Sequence, residues 1–156
     1  MADMTLKELL VKDLLDFFRE TFESVQGIYL DRGTSLFETL DTISAEEASR
    51  PVSATCATIA AQVAHVDYYL EILSVYMVGQ KPENVDWGHV WRTVSSVSPE
   101  EWEASKVRLK QRYEQVIITF KGLEGDENFG DALAMVVHTA YHLGEIRQSL
   151  CTIKAS

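Results

Sequence analysis

The sequence predicts an all-α protein, a four-helix bundle with long crossover connections. Apolar residues recur at helical spacing through four long segments, and no alternating strand pattern extends beyond a few residues. The chain has 156 residues, of which 46% are hydrophobic and 24% are charged, so it can bury a core and is not expected to be disordered. We expect one domain over residues 1–156. The long connections leave room for crossovers, so a simple up-down order is not required.

The first long helix is predicted from about Thr5 to Gln26. Thr5 and Glu8 form a capping-box pattern, and apolar residues then recur at helical spacing. Gly27 predicts the end of the helix, and Asp31-Arg32-Gly33 predicts a turn in the connection that follows. Between Ser35 and Ile43, a short packing helix is expected.

The second long helix is predicted to begin at about Ala54 or Thr58 and to end at Val78. Gly79 lies just past this end and Pro82 lies beyond it, which is the usual order of helix-terminating residues. The next segment, residues 83–97, holds two tryptophans and one histidine. It predicts a loop with a short helical turn.

The third and fourth long helices complete the predicted bundle. Ser98 is a favourable N-cap, and Pro99 suits the first helical position. This helix is expected to end near Gly122, and Gly125-Asp126-Glu127-Asn128 predicts the last turn. The fourth helix is predicted from about Phe129 or Asp131 to Cys151.

The charge balance narrows the classes of partner. The formal net charge is −10, so the surface would repel a nucleic-acid backbone and an anionic membrane face. The most apolar run, residues 58–78, contains His65, Asp67 and other polar groups, which argues against a membrane span. The first residues lack the pattern of a secretory signal, and Cys56 and Cys151 match no zinc or redox spacing. We expect a cytoplasmic protein with reduced thiols that binds neither nucleic acid nor membrane.

Three histidines predict a metal site. His138 and His142 are four residues apart and therefore share one helix face, where two imidazoles can bind one cation. His65 lies midway along the second long helix, which a bundle can place opposite this pair. Three imidazole ligands leave an open coordination position, as in catalytic sites. The alternative is that the three histidines are ordinary packed or surface residues.

Neighbouring residues argue against a zinc-protease site and a di-iron carboxylate site, and they leave the role of Glu145 open. Thr139 occupies the position where the zinc-protease motif His-Glu-x-x-His has its catalytic glutamate. No Glu-x-x-His motif is present, which disfavours a di-iron carboxylate site. Glu145 shares the face of His138 and His142. It is either a fourth ligand, a hydrogen-bond acceptor for an imidazole N–H or a solvated glutamate, and we favour the last two.

The same residues resemble the DinB-like (DinB/YfiT) superfamily. The resemblance lies in a mid-helix histidine within Thr58-Ile59-Ala60-Ala61-Gln62-Val63-Ala64-His65, in the segment from His138 to Gln148, and in Ser98-Pro99-Glu100-Glu101-Trp102. It covers nearly the whole chain. The resemblance implies a four-helix bundle with a long crossover, a homodimer, and a divalent metal, commonly zinc or nickel, held by the three histidines. It also implies transferases or isomerases that use low-molecular-weight thiols such as bacillithiol or mycothiol.

Two classes of function follow from these patterns. In the first, the protein is a metal-dependent enzyme acting on a small molecule: a zinc ion lowers the pKa of water to about 7 for hydrolysis, or binds a thiol for S-transfer. In the second, the bundle is a non-enzymatic dimeric binding or stress protein. The sequence identifies neither the substrate nor the metal, since imidazole suits several transition metals. Trp87, Trp91 and Trp102 are expected to line a pocket or a dimer seam, or to cap the ends of the core. Tyr68, Tyr69 and Tyr141 are expected to be core aromatics, and the alternative is that they are proton donors or pocket walls.

Overall fold

The computed structural model describes residues 4–123 and 128–155, and these residues form seven helices and no strand. The helices are α1 (Leu6–Phe22), α2 (Leu36–Leu40), α3 (Ala45–Ser49), α4 (Ile59–Met77), α5 (His89–Thr93), α6 (Pro99–Lys121) and α7 (Phe129–Ala155). The predicted all-α class is confirmed for this part of the chain. None of its helices has a stretch long and apolar enough to cross a membrane.

The four long helices pack against one another. Helix α4 packs against α6 and α7, and α1 packs against the same two helices. Rings from α1 and α6 fill one part of the core, where Phe18 lies 5.0 Å from Phe120 and 5.3 Å from Tyr113, measured between ring centroids. The short helices α2, α3 and α5 lie in the connections on either side of α4. Trp102 of α6 joins one of these connections to the core, because its indole N–H donates to the carbonyl of Ile43 at 2.8 Å.

Local capping explains where most helices begin. Thr5, Ser44 and Ser98 each accept a hydrogen bond from the backbone N–H three residues on, and the glutamate at that position bonds back in a capping box. Thr58 caps α4 by accepting from the backbone N–H of Ala61 at 3.2 Å, and here no side chain bonds back. The capping-box pattern of Ser44 also shows how the short helix α3, which we did not predict, could have been found.

Helix α1 ends at Phe22, so the predicted end at Gln26 was wrong. After α1 the chain turns back, and its backbone bonds the buried carboxylate of Glu20. The carboxylate accepts backbone N–H bonds from four residues, namely Gln26, Ile28, Tyr29 and Leu30, at 2.7–3.1 Å. Gly27, with φ +83°, makes the reversal sterically possible. A helix cannot continue where its backbone donors bond a side chain in this way.

Three further helices, α2, α5 and α7, can be compared with the segments predicted for them. The short helix expected within residues 35–43 is α2, and the helical turn expected within residues 83–97 is α5. Helix α7 begins at Phe129 as predicted but ends at Ala155, because apolar packing continues beyond Cys151 through the buried Ile153. The first three residues of the predicted turn Gly125-Asp126-Glu127-Asn128 lie outside the described residues. The side-chain amide of Asn128 donates to the carbonyl of Met77 at 2.9 Å, joining the start of α7 to the end of α4.

Candidate metal centre

The packing of α4 against α7 brings the three predicted histidines together. The ring centroids of His65 and His138 are 5.1 Å apart, those of His65 and His142 are 4.9 Å apart, and those of His138 and His142 are 4.5 Å apart. One potential ligand nitrogen from each ring lies within 4.8 Å of the other two. His65 and His142 are buried, and His138 is partly buried. Among the described residues, these three histidines form a cluster with the composition of a metal site.

Two nitrogens of this histidine cluster have no protein partner. His65 Nδ1 and His138 Nε2 are buried and make no hydrogen bond. Buried polar atoms are almost always hydrogen-bonded, because an unpaired one costs about 1–3 kcal/mol. Two such atoms in one cluster are therefore an unusual feature, and a shared cation would satisfy both. The cluster fits a divalent metal on this ground as well as by residue type.

The third histidine is oriented by oxygen acceptors. Nδ1 of His142 lies 2.5 Å from Oε1 of Gln62 and 3.0 Å from Oε2 of Glu145. Since both neighbours are acceptors, Nδ1 carries the proton and Nε2 keeps its lone pair. An acceptor on the far nitrogen is the usual support of a metal-binding histidine, because it fixes the tautomer and the ring plane.

Burial keeps the three rings neutral. Together with a smaller effect of the neighbouring histidines, it lowers the pKa of His65 to about 4 and that of His138 to about 4. Burial also lowers the pKa of His142, although the carboxylate of Glu145 opposes this shift. Neutral imidazole is the form that binds a metal, so near pH 7 few protons compete for these nitrogens.

Aromatic side chains enclose two of the three rings. Tyr69 stacks on His138, with ring centroids 3.6 Å apart and an interplanar angle of 15°. Trp91 of α5 covers His65, with centroids 4.3 Å apart. Trp87 packs against Tyr69 at 5.6 Å and so supports the first of these walls. These contacts restrict the rotation of the rings, which preorganises them for a ligand.

Glu145 lies beside the cluster, close enough to His142 to accept a hydrogen bond from its ring. Its Oε2 faces Nδ1 of His142, and its Oε1 accepts the hydroxyl of Tyr141 at 2.7 Å. That hydrogen bond raises the pKa of Tyr141. The carboxylate thus orients His142 from the side opposite to Nε2.

Sequence reasoning missed Gln62 and did not distinguish Trp91 from the other tryptophans. Gln62 lies three residues before His65 and therefore one turn away on a similar face of α4. A buried glutamine at that spacing is a usable signal, since buried amides need partners. The position of Trp91 depends on the path of the segment between α4 and α6, which no local pattern reveals. His89, in contrast, is exposed at the start of α5 and takes no part in the cluster.

A cleft lies beside the cluster. It has a volume of about 730 Å³ and is lined by His142, Gln62, Trp91, Glu145 and Tyr141, among others. A second cleft of about 650 Å³ adjoins it, and the two share Cys56, Ala57 and Trp91. Such volumes suit small molecules. The cleft therefore offers a ligand direct access to His142 and its acceptors.

No family model matches this chain, and no curated protein or solved structure matches it.

Proposed function

We propose that the protein is a divalent-metal-dependent enzyme whose metal is held by His65, His138 and His142. The observation that carries the proposal is the pair of buried, unpartnered nitrogens, His65 Nδ1 and His138 Nε2, beside the oriented ring of His142. A structural histidine would be expected to make a hydrogen bond. Zinc and nickel are the metals we favour, because both accept imidazole ligands readily.

The proposed site is an open one. Three imidazoles leave at least one coordination position, and His142 is one of the residues that line the 730 Å³ cleft. The metal would supply Lewis-acid chemistry there, towards either water or a thiol. The protein's own residues would orient the ligands through Gln62 and Glu145 and limit access of water through Trp91.

Between the two reactions, we favour thiol transfer over hydrolysis. Thr139, between the paired histidines, is fully buried, and its hydroxyl donates to the carbonyl of Met135 at 2.8 Å. It therefore cannot serve as a general base. The carboxylate of Glu145 is held by His142 and Tyr141. A thiol binds a metal as the thiolate, and the resemblance to thiol-dependent transferases is what favours this reaction over hydrolysis.

We also propose a DinB-like four-helix bundle formed by α1, α4, α6 and α7. The mutual packing of these helices supports it, as do the long connections that contain α2, α3 and α5. The histidines lie on α4 and α7, where the resemblance expects them. The free thiols of Cys56 and Cys151 support a cytoplasmic location.

The same proposal includes a homodimer. Apolar side chains are exposed on α1 and on α7, two helices that pack on each other, and we call this set the apolar stripe. The apolar stripe comprises Leu6 (73% exposed), Leu10 (43%), Phe17 (40%), Leu133 (48%) and Val137 (59%). A two-fold interface brings the same patch of both copies together. A second copy would remove these side chains from water.

A cobalt-substituted protein tests the open site. Co²⁺ in a three-histidine site absorbs in the visible region, and a thiol that binds it adds a sulfur-to-metal charge-transfer band. We expect one Co²⁺ per chain and a new near-ultraviolet band on adding a small thiol. If Co²⁺ binds but the spectrum changes neither with thiols nor with other small molecules that replace a metal-bound water, the metal is structural. The non-enzymatic dimeric bundle would then be the better account.

A further inference from the structure

Trp91 borders both the two adjoining clefts and the buried imidazole of His65. Its indole ring covers that imidazole, with ring centroids 4.3 Å apart and an interplanar angle of 32°. The same side chain is 40% exposed and lines both clefts. His65 is only 7% exposed, and its unpartnered Nδ1 is buried. Of the three histidines, His142 alone is among the described residues that line either cleft.

The backbone on either side of Trp91 is tied to the rest of the protein. Before α5, the backbone N–H of Asp86 donates to the hydroxyl of Tyr68 at 3.1 Å. After α5, the backbone N–H of Val97 donates to the hydroxyl of Ser49 at 2.9 Å. A movement that uncovers the histidine cluster therefore requires least of the structure if the Trp91 side chain alone rotates. Partly exposed side chains change rotamer readily.

No hydrogen bond opposes this rotation. The indole N–H of Trp91 makes no hydrogen bond to a described residue, whereas that of the buried Trp102 donates to the carbonyl of Ile43. Rotation of Trp91 gives up its ring contact with His65, and it exposes little further apolar surface because the side chain is already partly exposed. The clefts, of about 730 and 650 Å³, have room for the rotated ring.

We propose that the indole of Trp91 is a gate, which covers His65 when closed and rotates into the clefts to admit a ligand to the histidine cluster. A ligand of a metal shared by the three rings must approach His65 as well as His142, so it must pass Trp91. The inference rests on the proposed function for the nature of that ligand, a small molecule that binds the metal. It adds a selection by size, because a bulky ligand needs a larger displacement of the indole. Among thiols, the gate favours those with an unbranched carbon next to the sulfur.

Diethylpyrocarbonate, which modifies accessible neutral imidazoles, tests the cover in the metal-free protein. Peptide mass spectrometry gives the reaction rate of each histidine, and the exposed His89 serves as the reference. We expect His65 to react several-fold faster in Trp91→Ala than in the wild type. Tyr69→Ala is the matched control, because Tyr69 stacks on His138 and is not among the described residues that line either cleft. It should speed the reaction of His138 and leave that of His65 unchanged.

Two isomeric thiols test the selection by size in the cobalt-substituted protein. Straight-chain butanethiol and tert-butyl thiol have the same formula and differ in the bulk beside the sulfur. Stopped-flow measurement of the charge-transfer band gives the association rate of each. The ratio of the two rates, compared between proteins, cancels the intrinsic difference between the thiols. We expect the preference for the straight-chain isomer to fall several-fold in Trp91→Ala and to persist in Tyr69→Ala.

Equal reactivity of His65 in the wild type and in Trp91→Ala would overturn the gate. An unchanged thiol ratio in Trp91→Ala would also overturn it, as would an equal gain in His65 reactivity in Tyr69→Ala. Circular dichroism checks every variant, and one that has lost its helical spectrum is replaced by Trp91→Leu or Tyr69→Leu, with the same expected direction.

The two measurements separate this failure from that of the proposed function. Histidine labelling needs no metal, so it tests the gate even if the protein binds no cobalt. Failure to bind cobalt contradicts the metal enzyme, whatever the labelling shows. A protein that binds cobalt and thiols, but in which Trp91→Ala changes neither measurement, contradicts the gate alone.

Discussion

His142 and Gln62 are joined across the α4–α7 interface, with Nδ1 of the ring 2.5 Å from Oε1 of the amide. Both side chains are buried, and they lie 80 residues apart in the chain. The contact sets the protonated nitrogen of His142 and leaves its other nitrogen with a lone pair for the proposed metal. The packing of α4 against α7 therefore determines which nitrogen of His142 carries the proton.

Removing the Gln62 acceptor should weaken metal binding without removing a ligand. In Gln62→Leu, Nδ1 of His142 keeps only Glu145 as an acceptor, so the ring is held less firmly. We expect zinc affinity to fall by about tenfold to a hundredfold, as for other residues that orient metal ligands. Competition with a chromophoric chelator measures the affinity. Gln62→Glu, which keeps an oxygen acceptor, is the control, and equal loss in both variants would contradict the orienting role.

Acid should destabilise the metal-free protein through the buried histidines. The pKa values of His65 and His138 are about 4 in the folded protein, against 6.5 for an ordinary histidine. Between these values the unfolded chain binds more protons, so the free energy of unfolding decreases as the pH falls from about 6.5 to 4. Urea unfolding of the metal-free protein at a series of pH values measures this slope.

His138→Gln should reduce that slope, and His89→Gln should leave it unchanged because His89 is exposed. If the two variants have the same pH profile, the histidine cluster does not titrate as proposed.

The buried carboxylate of Glu20 should stabilise the end of α1. Burial alone would raise its pKa, but hydrogen bonds from four backbone N–H groups outweigh burial and lower the pKa to about 2. Its stabilising effect is present above the ordinary pKa of 4.5 and is lost as the pH falls towards 2. Glu20→Gln turns an amide N–H towards these donors and should cost about 2 kcal/mol or more at pH 7. Chemical denaturation measures the loss, and the exposed Glu46→Gln should change it little.

The apolar stripe should mediate dimerisation. Val137→Glu places a charge in the middle of the proposed interface and should shift the protein to monomers at micromolar concentration. Ile118→Glu is the matched control, because Ile118 is a 71% exposed apolar residue on α6, outside the stripe. Sedimentation equilibrium gives the masses. A monomeric wild-type protein, or a dimer that persists in Val137→Glu, would contradict this interface.

Helical periodicity was enough to predict the long helices, because each must bury one apolar face. It could not predict the end of α1, since that end depends on Glu20 binding the backbone N–H groups of a later loop. The site shows the same contrast. Spacing along α7 predicted that His138 and His142 share a face, and the packing of α4 against α7 places His65 beside them.

The sequence did not predict the position of Trp91, because contacts between distant segments determine it. Trp91 reaches His65 because the connection between α4 and α6 folds over the cluster. The path of that connection depends on tertiary contacts, such as the bond from the backbone N–H of Asp86 to the hydroxyl of Tyr68 at 3.1 Å. No periodic pattern encodes such a path.

Metal analysis of single histidine variants tests the central claim most directly. Wild-type protein purified without added metal should hold about one zinc or nickel per chain, and His89→Ala should hold the same amount. His138→Ala and His142→Ala should lose most of it, since each removes one of two ligands that α7 places together, and His65→Ala should bind more weakly because the link from α4 is lost. Equal metal content in the wild type and in the His138 and His142 variants would contradict the account.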